Sequence, residues 1–324
     1  MLSTTLTIAF AALVIERLTG YPKLIHEAIG HPVEWIGAVI GGFEEALNRP
    51  GGSRLWQKLK GAFALLLTLL LVAILTIPFS LWLRQQEWGW LLEAVLATTL
   101  LAQFDLYRHV RAVYAGLETG IDNGRQAVSR IVGRDPAQLD ESGVTRAAIE
   151  SLAENASDAV VAPAMFLALF GLPGIAIYKV INTADSMLGH KSPRFIDFGW
   201  ASARLDDLVN LVPARLAGLL FAGAASLTNP AAGADALARM WYDARRHVSP
   251  NAGWPEAAMA GALNIRLGGP RSYDGTVVEL PWLGNGRIEL DRRDIRRALR
   301  LFSQMITLFA AFVALAAAFT FKAF

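Results

Sequence analysis

Six stretches of this chain are apolar over lengths that leave little choice of fold: Leu2–Leu18, Gly61–Leu83, Trp90–Phe104, Val160–Ile181, Leu208–Leu227 and Leu301–Phe321. A helix needs about 20 apolar residues to cross a bilayer, and the second and last runs meet this easily. Hydrocarbon offers no water to satisfy backbone N–H and C=O groups, so such segments must bond internally as helices. Composition agrees. Of 324 residues, 54% are hydrophobic and 18% charged, against about 25% charged in soluble proteins, and the mean hydropathy is +0.37. The expected fold is an all-α polytopic membrane protein, with about four full spans plus re-entrant or broken helices. It is read as one integral membrane domain, residues 1–324, with a polar cytoplasmic-face segment at residues 229–300 inside it.

Basic residues set the expected orientation, because Lys and Arg collect on the cytoplasmic side. Thr19–Lys60 carries Lys23, Arg49, Arg54, Lys58 and Lys60, and Asp105–Asp158 carries Arg108, Arg111, Arg125, Arg130, Arg134 and Arg146. Both loops read as cytoplasmic. No Lys or Arg precedes the first apolar run, so it reads as a membrane helix with its N-terminus outside rather than as a secretory signal. Trp82, Trp88 and Trp90 flank a short connection, as in an interfacial aromatic belt.

Two runs are irregular. Gly171-Leu172-Pro173-Gly174 interrupts the fourth, and Pro with Gly breaks a helix or turns the chain. A helical hairpin is expected there, returning the chain to its starting face. In the fifth run, the Leu, Val and Phe residues contribute about −4 kcal/mol to insertion and Arg215 alone returns about +3 kcal/mol. A protein-covered or re-entrant segment is therefore expected. In the polar segment, two strands are expected at Thr276–Leu280 and Arg287–Leu290, around the turn Gly284-Asn285-Gly286.

Several function classes drop out. The formal charge is only +2 and no basic tract interleaves with aromatics, so nucleic acid is not an expected partner. Cysteine is absent, which removes disulfides and thiolate chemistry. The five His form no zinc spacing. No Walker A loop, GxSxG elbow or GxGxxG turn occurs.

What remains is a concentration of polar groups beside apolar helices. A charge at the bilayer centre costs about 2.5–3.5 kcal/mol even on lenient scales, so these groups point to chemistry or transport. Glu150, Glu154 and Asp158 are spaced four apart and share a helix face, with Asn155 beside them. That face reads as a Mg²⁺ or carboxylate site or as a solvated stripe. Tyr178, Asn182 and Asp185 form a second stripe, flanked by Lys179 and Ser186. Lys179 there either holds phosphate as a point charge or snorkels to the interface. Arg204, Asp206, Asp207 and Asn210 lie within two turns, with Arg215 beyond. They resemble a divalent-metal site, or an acidic helix N-terminus. Ser249-Pro250-Asn251-Ala252-Gly253-Trp254-Pro255 is a turn-rich loop that approaches a ligand or merely connects helices.

These residues also carry a resemblance. Gly133–Pro163 (GRDPAQLDESGVTRAAIESLAENASDAVVAP), Tyr178–Ser192 (YKVINTADSMLGHKS), Phe198–Leu216 (FGWASARLDDLVNLVPARL), Ser249–Pro270 (SPNAGWPEAAMAGALNIRLGGP) and His31–Gly37 (HPVEWIG) resemble the CbiB/CobD family. These are the membrane-bound adenosylcobinamide-phosphate synthases of vitamin B12 biosynthesis. The likeness runs in order through nearly the whole chain. One departure is Tyr21-Pro22, where the family commonly has Asp-Pro.

The resemblance implies an ATP-dependent amide ligase. It would join adenosylcobyric acid to (R)-1-aminopropan-2-ol phosphate, or to the unphosphorylated amine, through an acyl phosphate. The implied cofactor is Mg²⁺, with ATP as co-substrate, at the cytoplasmic face of the inner membrane. Asp185, Asp206 and Asp207 are expected to hold Mg²⁺. Glu154 and Asp158 are expected as further ligands or as the base, and Lys179, Arg204 and Arg215 as phosphate contacts. Asn155, Asn182 and Asn251 would orient substrate, with Ser186 and Asn210 completing the binding set. The lipid bilayer, a second copy of the chain and neighbouring cobalamin-pathway enzymes are the macromolecular partners compatible with this reading. A transporter, an Asp-rich intramembrane transferase and a non-catalytic regulatory relative are the rival readings.

Overall fold

The computed structural model describes residues 2–49, 51–133, 135–273 and 276–322. It is built from α1 (Leu2–Thr19), α2 (Lys23–Ile29), α3 (Pro32–Leu47), α4 (Arg54–Leu83), α5 (Gly89–Thr98), α6 (Gln103–Thr119), α7 (Ile121–Val128), α8 (Glu141–Ala156), α9 (Ala162–Leu188), α10 (Trp200–Val209), α11 (Leu211–Thr228), α12 (Pro230–Asp243), α13 (Gly253–Leu263) and α14 (Arg292–Lys322). A π turn, Ser157–Val161, joins α8 to α9. Among the described residues, six helical stretches are long and apolar enough to cross a membrane, α1, α4, α11 and α14 among them. The chain is an all-α multi-pass membrane protein. Arg134, one of the expected cytoplasmic arginines, lies outside the described residues.

Side-chain caps start the helices where the sequence supplies them. Ser53 Oγ accepts from the Trp56 amide at 3.3 Å to open α4, and Asp140 Oδ1 accepts from the Gly143 amide at 2.7 Å to open α8. Each cap satisfies an N–H that the first helical turn leaves without a partner.

The contacts divide the chain into two compact units. The first comprises Met1–Ala102, Ala162–Asn210 and Val313–Phe324. Its core joins Ile40, Ala64, Leu65, Val180, Ala184, Leu188 and Phe198 from α3, α4, α9 and the approach to α10. Glu44 of α3 ties down the loop after α9 by accepting from the Arg194 guanidinium at 2.8 and 3.0 Å. That bond holds the Glu44 carboxyl below the ordinary range, against the effect of its burial.

The expected hairpin is present in this unit. Gly171 takes φ 70° and ψ −159° and divides α9. Phe166 and Tyr178 would stand about 18 Å apart along an unbroken helix, yet their rings stack at 5.1 Å between centroids. The break frees the Leu172 amide, which donates to Glu93 Oε1 at 2.9 Å. Glu93 is fully buried and also accepts from Ser80 Oγ at 2.9 Å and from Arg84 Nη2 at 3.2 Å. A Cβ at residue 171 would collide with Arg84 Nη2 and crowd Glu93, so only glycine suits both the φ and the space.

The second unit comprises Gln103–Val161 and Leu211–Phe312. Here α11 differs from the re-entrant expectation: it is one unbroken helix. Half of its apolar window is buried within the protein, which agrees with the expected cover. The strand expectations are corrected. Thr276–Val278 (β3) pairs antiparallel with Arg271–Tyr273 (β2), not with Arg287–Leu290. Leu267–Gly268 (β1) pairs with Trp282–Leu283 (β4), and Arg287 makes only an isolated bridge to Ile265. The physical reason is the turn. Asn264 ends α13 in a left-handed conformation at φ 53°, and Gly286 packs directly on its backbone, which sends the chain away from a hairpin. Glu150 also has a structural task, since its Oε1 accepts the Gly268 amide at 2.6 Å.

Replacing Gly171 by Ala, or Glu93 by Ala, is expected to lower the thermal unfolding midpoint in detergent. The first carries a strain of about 1–3 kcal/mol. The second removes the carboxylate that the Arg84 guanidinium and the Leu172 amide both donate to, at about 3–5 kcal/mol. A midpoint unchanged by both would remove the hairpin from its central place.

Candidate active-site clusters

The return limb of α9 and the end of α10 build the first cluster, wholly within the first unit. On α9, Tyr178, Asn182 and Asp185 fall on one helical stripe. On α10, Asp206 lies one turn before Asn210, whose amide closes that helix on the Asp206 carbonyl at 3.1 Å. Tyr178 Oη donates to Asn210 Oδ1 at 3.0 Å, and Asn210 Nδ2 donates to Asp206 Oδ2 at 2.9 Å. Tyr178 and Asn210 are fully buried, and Asp206 is 8% exposed. Asp206 Oδ1 is buried with no hydrogen-bond partner.

This carboxyl is pushed up to about 6, first by burial and then by the nearby charge of Asp185, while Asn210 and Asn182 favour the ionised form. Asp185 itself lies against Gly189, where any Cβ would strike its carboxylate. Two acids and two amides therefore converge, with one oxygen unsatisfied. A carboxylate pair sharing a desolvated site either keeps a proton or takes a cation.

Asp207, expected in the same set, turns elsewhere. It pairs with the exposed Arg204 at 3.6 Å; burial raises its carboxyl, and Arg204 and Lys191 hold it down. Adjacent helical residues point about 100° apart, which separates Asp207 from Asp206. Among the described residues no three His, Asp or Glu converge to hold a metal. Lys179 is buried next to Tyr178, and exposed Ser186 donates to the Asn182 carbonyl at 2.9 Å.

The second cluster belongs to the second unit. Arg215 Nη1 donates to the Leu211 carbonyl at 2.7 Å and to Asn251 Oδ1 at 3.2 Å. Its guanidinium lies 4.3 Å over the Trp254 ring, a cation–π contact. Asn251 is 6% exposed, held in a loop where Ser249 Oγ accepts the amides of Asn251 and Ala252, each at 3.2 Å. A cavity of about 430 Å³ opens here, lined by Arg215, Trp241, Arg245, His247, Ser249 and Trp254 among others.

The acidic stripe of α8 does not stay together. Glu150 turns inward to the Gly268 amide, Glu154 is exposed, and Asn155 Nδ2 donates to the Ser151 carbonyl at 2.9 Å. Asp158 sits in the π turn, which packs on α11 within this unit. Such turns are frequent at functional sites, and α-helical spacing alone did not reveal it. Sequence reasoning also missed Trp241, Arg245 and His247. Their signal was the aromatic and basic run Met240–His247, which directly precedes the turn-rich loop.

A multi-pass helical membrane protein carrying two polar clusters, one acidic and one cationic, is the class that this geometry defines. The sequence profile described as CobD/Cbib protein matches residues 9–302. The chain is 49% identical to "Cobalamin biosynthesis protein CobD" of Rhodobacter capsulatus, over 90% of each chain. It is also 49% identical to the protein of the same name from Sinorhizobium fredii, over 93% of each, and 47% identical to that of Brucella suis, over 93% of this chain and 94% of the other. No solved structure matches it. The chain belongs to the CobD/CbiB family of cobalamin biosynthesis proteins.

The raised Asp206 carboxyl predicts a pH dependence. Folding lifts it from 3.8 to about 6, so its contribution to stability is present below the unfolded value and lost as pH rises through the folded one. The unfolding midpoint should therefore fall between about pH 4 and pH 6, and Asp206→Asn should flatten that fall. Scanning fluorimetry in detergent reads both; an equal slope in the variant would show that Asp206 is not the titrating group.

Proposed function

We propose that this protein is an ATP-dependent amide ligase that joins adenosylcobyric acid to (R)-1-aminopropan-2-ol phosphate, giving adenosylcobinamide phosphate. Family membership supports the pathway. The observation that carries a catalytic role is Asp206: a buried carboxyl beside Asp185, with an oxygen that makes no close hydrogen bond. An unsatisfied buried acid is costly, and a fold that keeps one has a use for it.

The chemistry required is plain. A carboxylate is a poor electrophile, so its oxygen attacks the γ-phosphorus of ATP and ADP leaves. The amine nitrogen then attacks the acyl carbon, the amide C–N bond forms and inorganic phosphate leaves. The proton of the attacking ammonium passes to a base. Asp185 and Asp206 suit Mg²⁺, which characteristically takes one or two carboxylates and substrate phosphates while keeping waters. The ion would supply charge neutralisation at the phosphates. Asn210 and Asn182 both favour the ionised Asp206, with Tyr178 fixing Asn210. Lys179, a desolvated cation, and Arg215, stacked and hydrogen-bonded in place, suit phosphate oxygens. Asn155, Asn251 and Ser186 supply polar contacts to substrate. Arg204 with Asp207, paired and more exposed, stands at the margin. The working face would be the cytoplasmic face of the inner membrane, where ATP is available.

The test is turnover by purified protein given adenosylcobyric acid, aminopropanol phosphate, ATP and Mg²⁺, with product read by mass spectrometry. ATP-dependent adenosylcobinamide phosphate is expected. No product from folded protein, with either amine, would overturn the ligase reading. Asp185→Asn and Asp206→Asn should each lower kcat about 100-fold or more, as loss of a charge-stabilising group does, whereas Asp207→Asn should cost about tenfold or less. For orientation, a fluorescent-protein reporter inserted after His190 should fluoresce, because that reporter matures only in the cytoplasm.

A further inference from the structure

The cavity of the second unit has more in it than Arg215 and Asn251. Its lining brings two guanidiniums, Arg215 and Arg245, together with His247, Ser249, Trp241 and Trp254, and no carboxylate. Arg245 makes no ion pair or hydrogen bond with any described residue. Arg215 spends both of its hydrogen bonds through Nη1, which leaves Nε and Nη2 to donate elsewhere. Two unneutralised cations on one wall repel, and an arginine on an apolar helix is costly. An anion between them relieves both costs.

The walls say what kind of anion. Trp254 is buried at 5% exposure, its face covered by Arg215, whereas Trp241 is 53% exposed and meets Trp254 edge-on at 5.5 Å. The space of about 430 Å³ falls in the range of small-molecule sites, about 300–1,000 Å³, far more than a bare phosphate fills. We propose that this cavity binds a phosphate ester, with Arg215 and Arg245 on the phosphate oxygens and Trp241 against the organic group it carries. The inference rests on the ligase reading only for the ligand's part in the reaction; the site itself stands on its own geometry. Forked guanidiniums suit phosphate better than ammonium groups do, and an exposed tryptophan face stacks on planar or apolar groups.

Soluble phosphate esters and anionic lipid headgroups share this chemistry, and the soluble ester is the assignment made here. The full-length protein is placed in phosphatidylcholine nanodiscs and titrated with inorganic phosphate, phenyl phosphate and AMP by calorimetry. The organic esters should bind at least fivefold more tightly than inorganic phosphate. Arg245→Gln, at an exposed side chain whose loss should not disturb folding, should weaken every phosphate by about fivefold or more. Trp241→Ala should erase the preference for the organic esters. Unchanged affinities in both variants would overturn the proposal. Displacement of the soluble esters in phosphatidylglycerol nanodiscs, but not in phosphatidylcholine, would overturn the soluble assignment in favour of a headgroup. The ligase reading fails separately: binding with these properties and no turnover would leave this site standing, and turnover with a KM indifferent to Arg245→Gln would remove the ligand's part in the reaction and leave the ligase.

Discussion

The first unit depends on one buried hydrogen bond, from the Leu172 amide to Glu93. Breaking a helix inside a membrane protein frees backbone groups that lipid cannot satisfy. Here Gly171 makes the break, and Glu93, itself braced by Ser80 and Arg84, takes up the freed amide. With that settled, α9 can reverse, and its return limb carries Tyr178, Asn182 and Asp185 alongside α10. An unbroken α9 would place Tyr178 more than three helical turns from Phe166, on which it now stacks.

The acid pair shows the same economy of polar groups. Asp206 loses water on folding and regains one bond from Asn210, which is fixed in turn by Tyr178. Its second oxygen stays unmatched. Every other member of the chain from Tyr178 to Asp206 is satisfied, so the deficit is confined to one atom. A desolvated site with fixed dipoles makes charge stabilisation stronger than water would allow. That is the arrangement a metal–phosphate complex can use, and a solvated acidic stripe cannot.

In the second unit, cations replace acids. Arg215 is the only strong charge in the body of α11, and it is held rather than left to roam: a ring beneath it, an amide oxygen and a backbone carbonyl beside it. The loop that delivers Asn251 is stiffened by Ser249, whose hydroxyl accepts two backbone amides. The guanidinium is thus preorganised, so less conformational freedom remains to be lost on binding.

By itself the sequence determined the membrane class, because apolar length and backbone hydrogen bonding admit only helices. It also determined the break at Gly171–Gly174, because glycine and proline act locally, and it marked the polar stripes by their spacing. The family was legible for the same reason: its motifs are contiguous runs. Only the tertiary structure decided which stripe members meet. Asp206 and Asp207 are neighbours in the chain, yet a 100° helical step sends one to Asp185 and the other to Arg204. Glu150 and Glu154 share a stripe, yet one is committed to the Gly268 amide and the other stays exposed. The strand pairing near Gly286 was hidden too, because a left-handed Asn264 and a close backbone approach redirect the chain. The cavity around Arg215 and Trp241 needed three successive helices, α11, α12 and α13, to fold back against one another. Spacing reports which residues share a face, and only packing reports what that face meets.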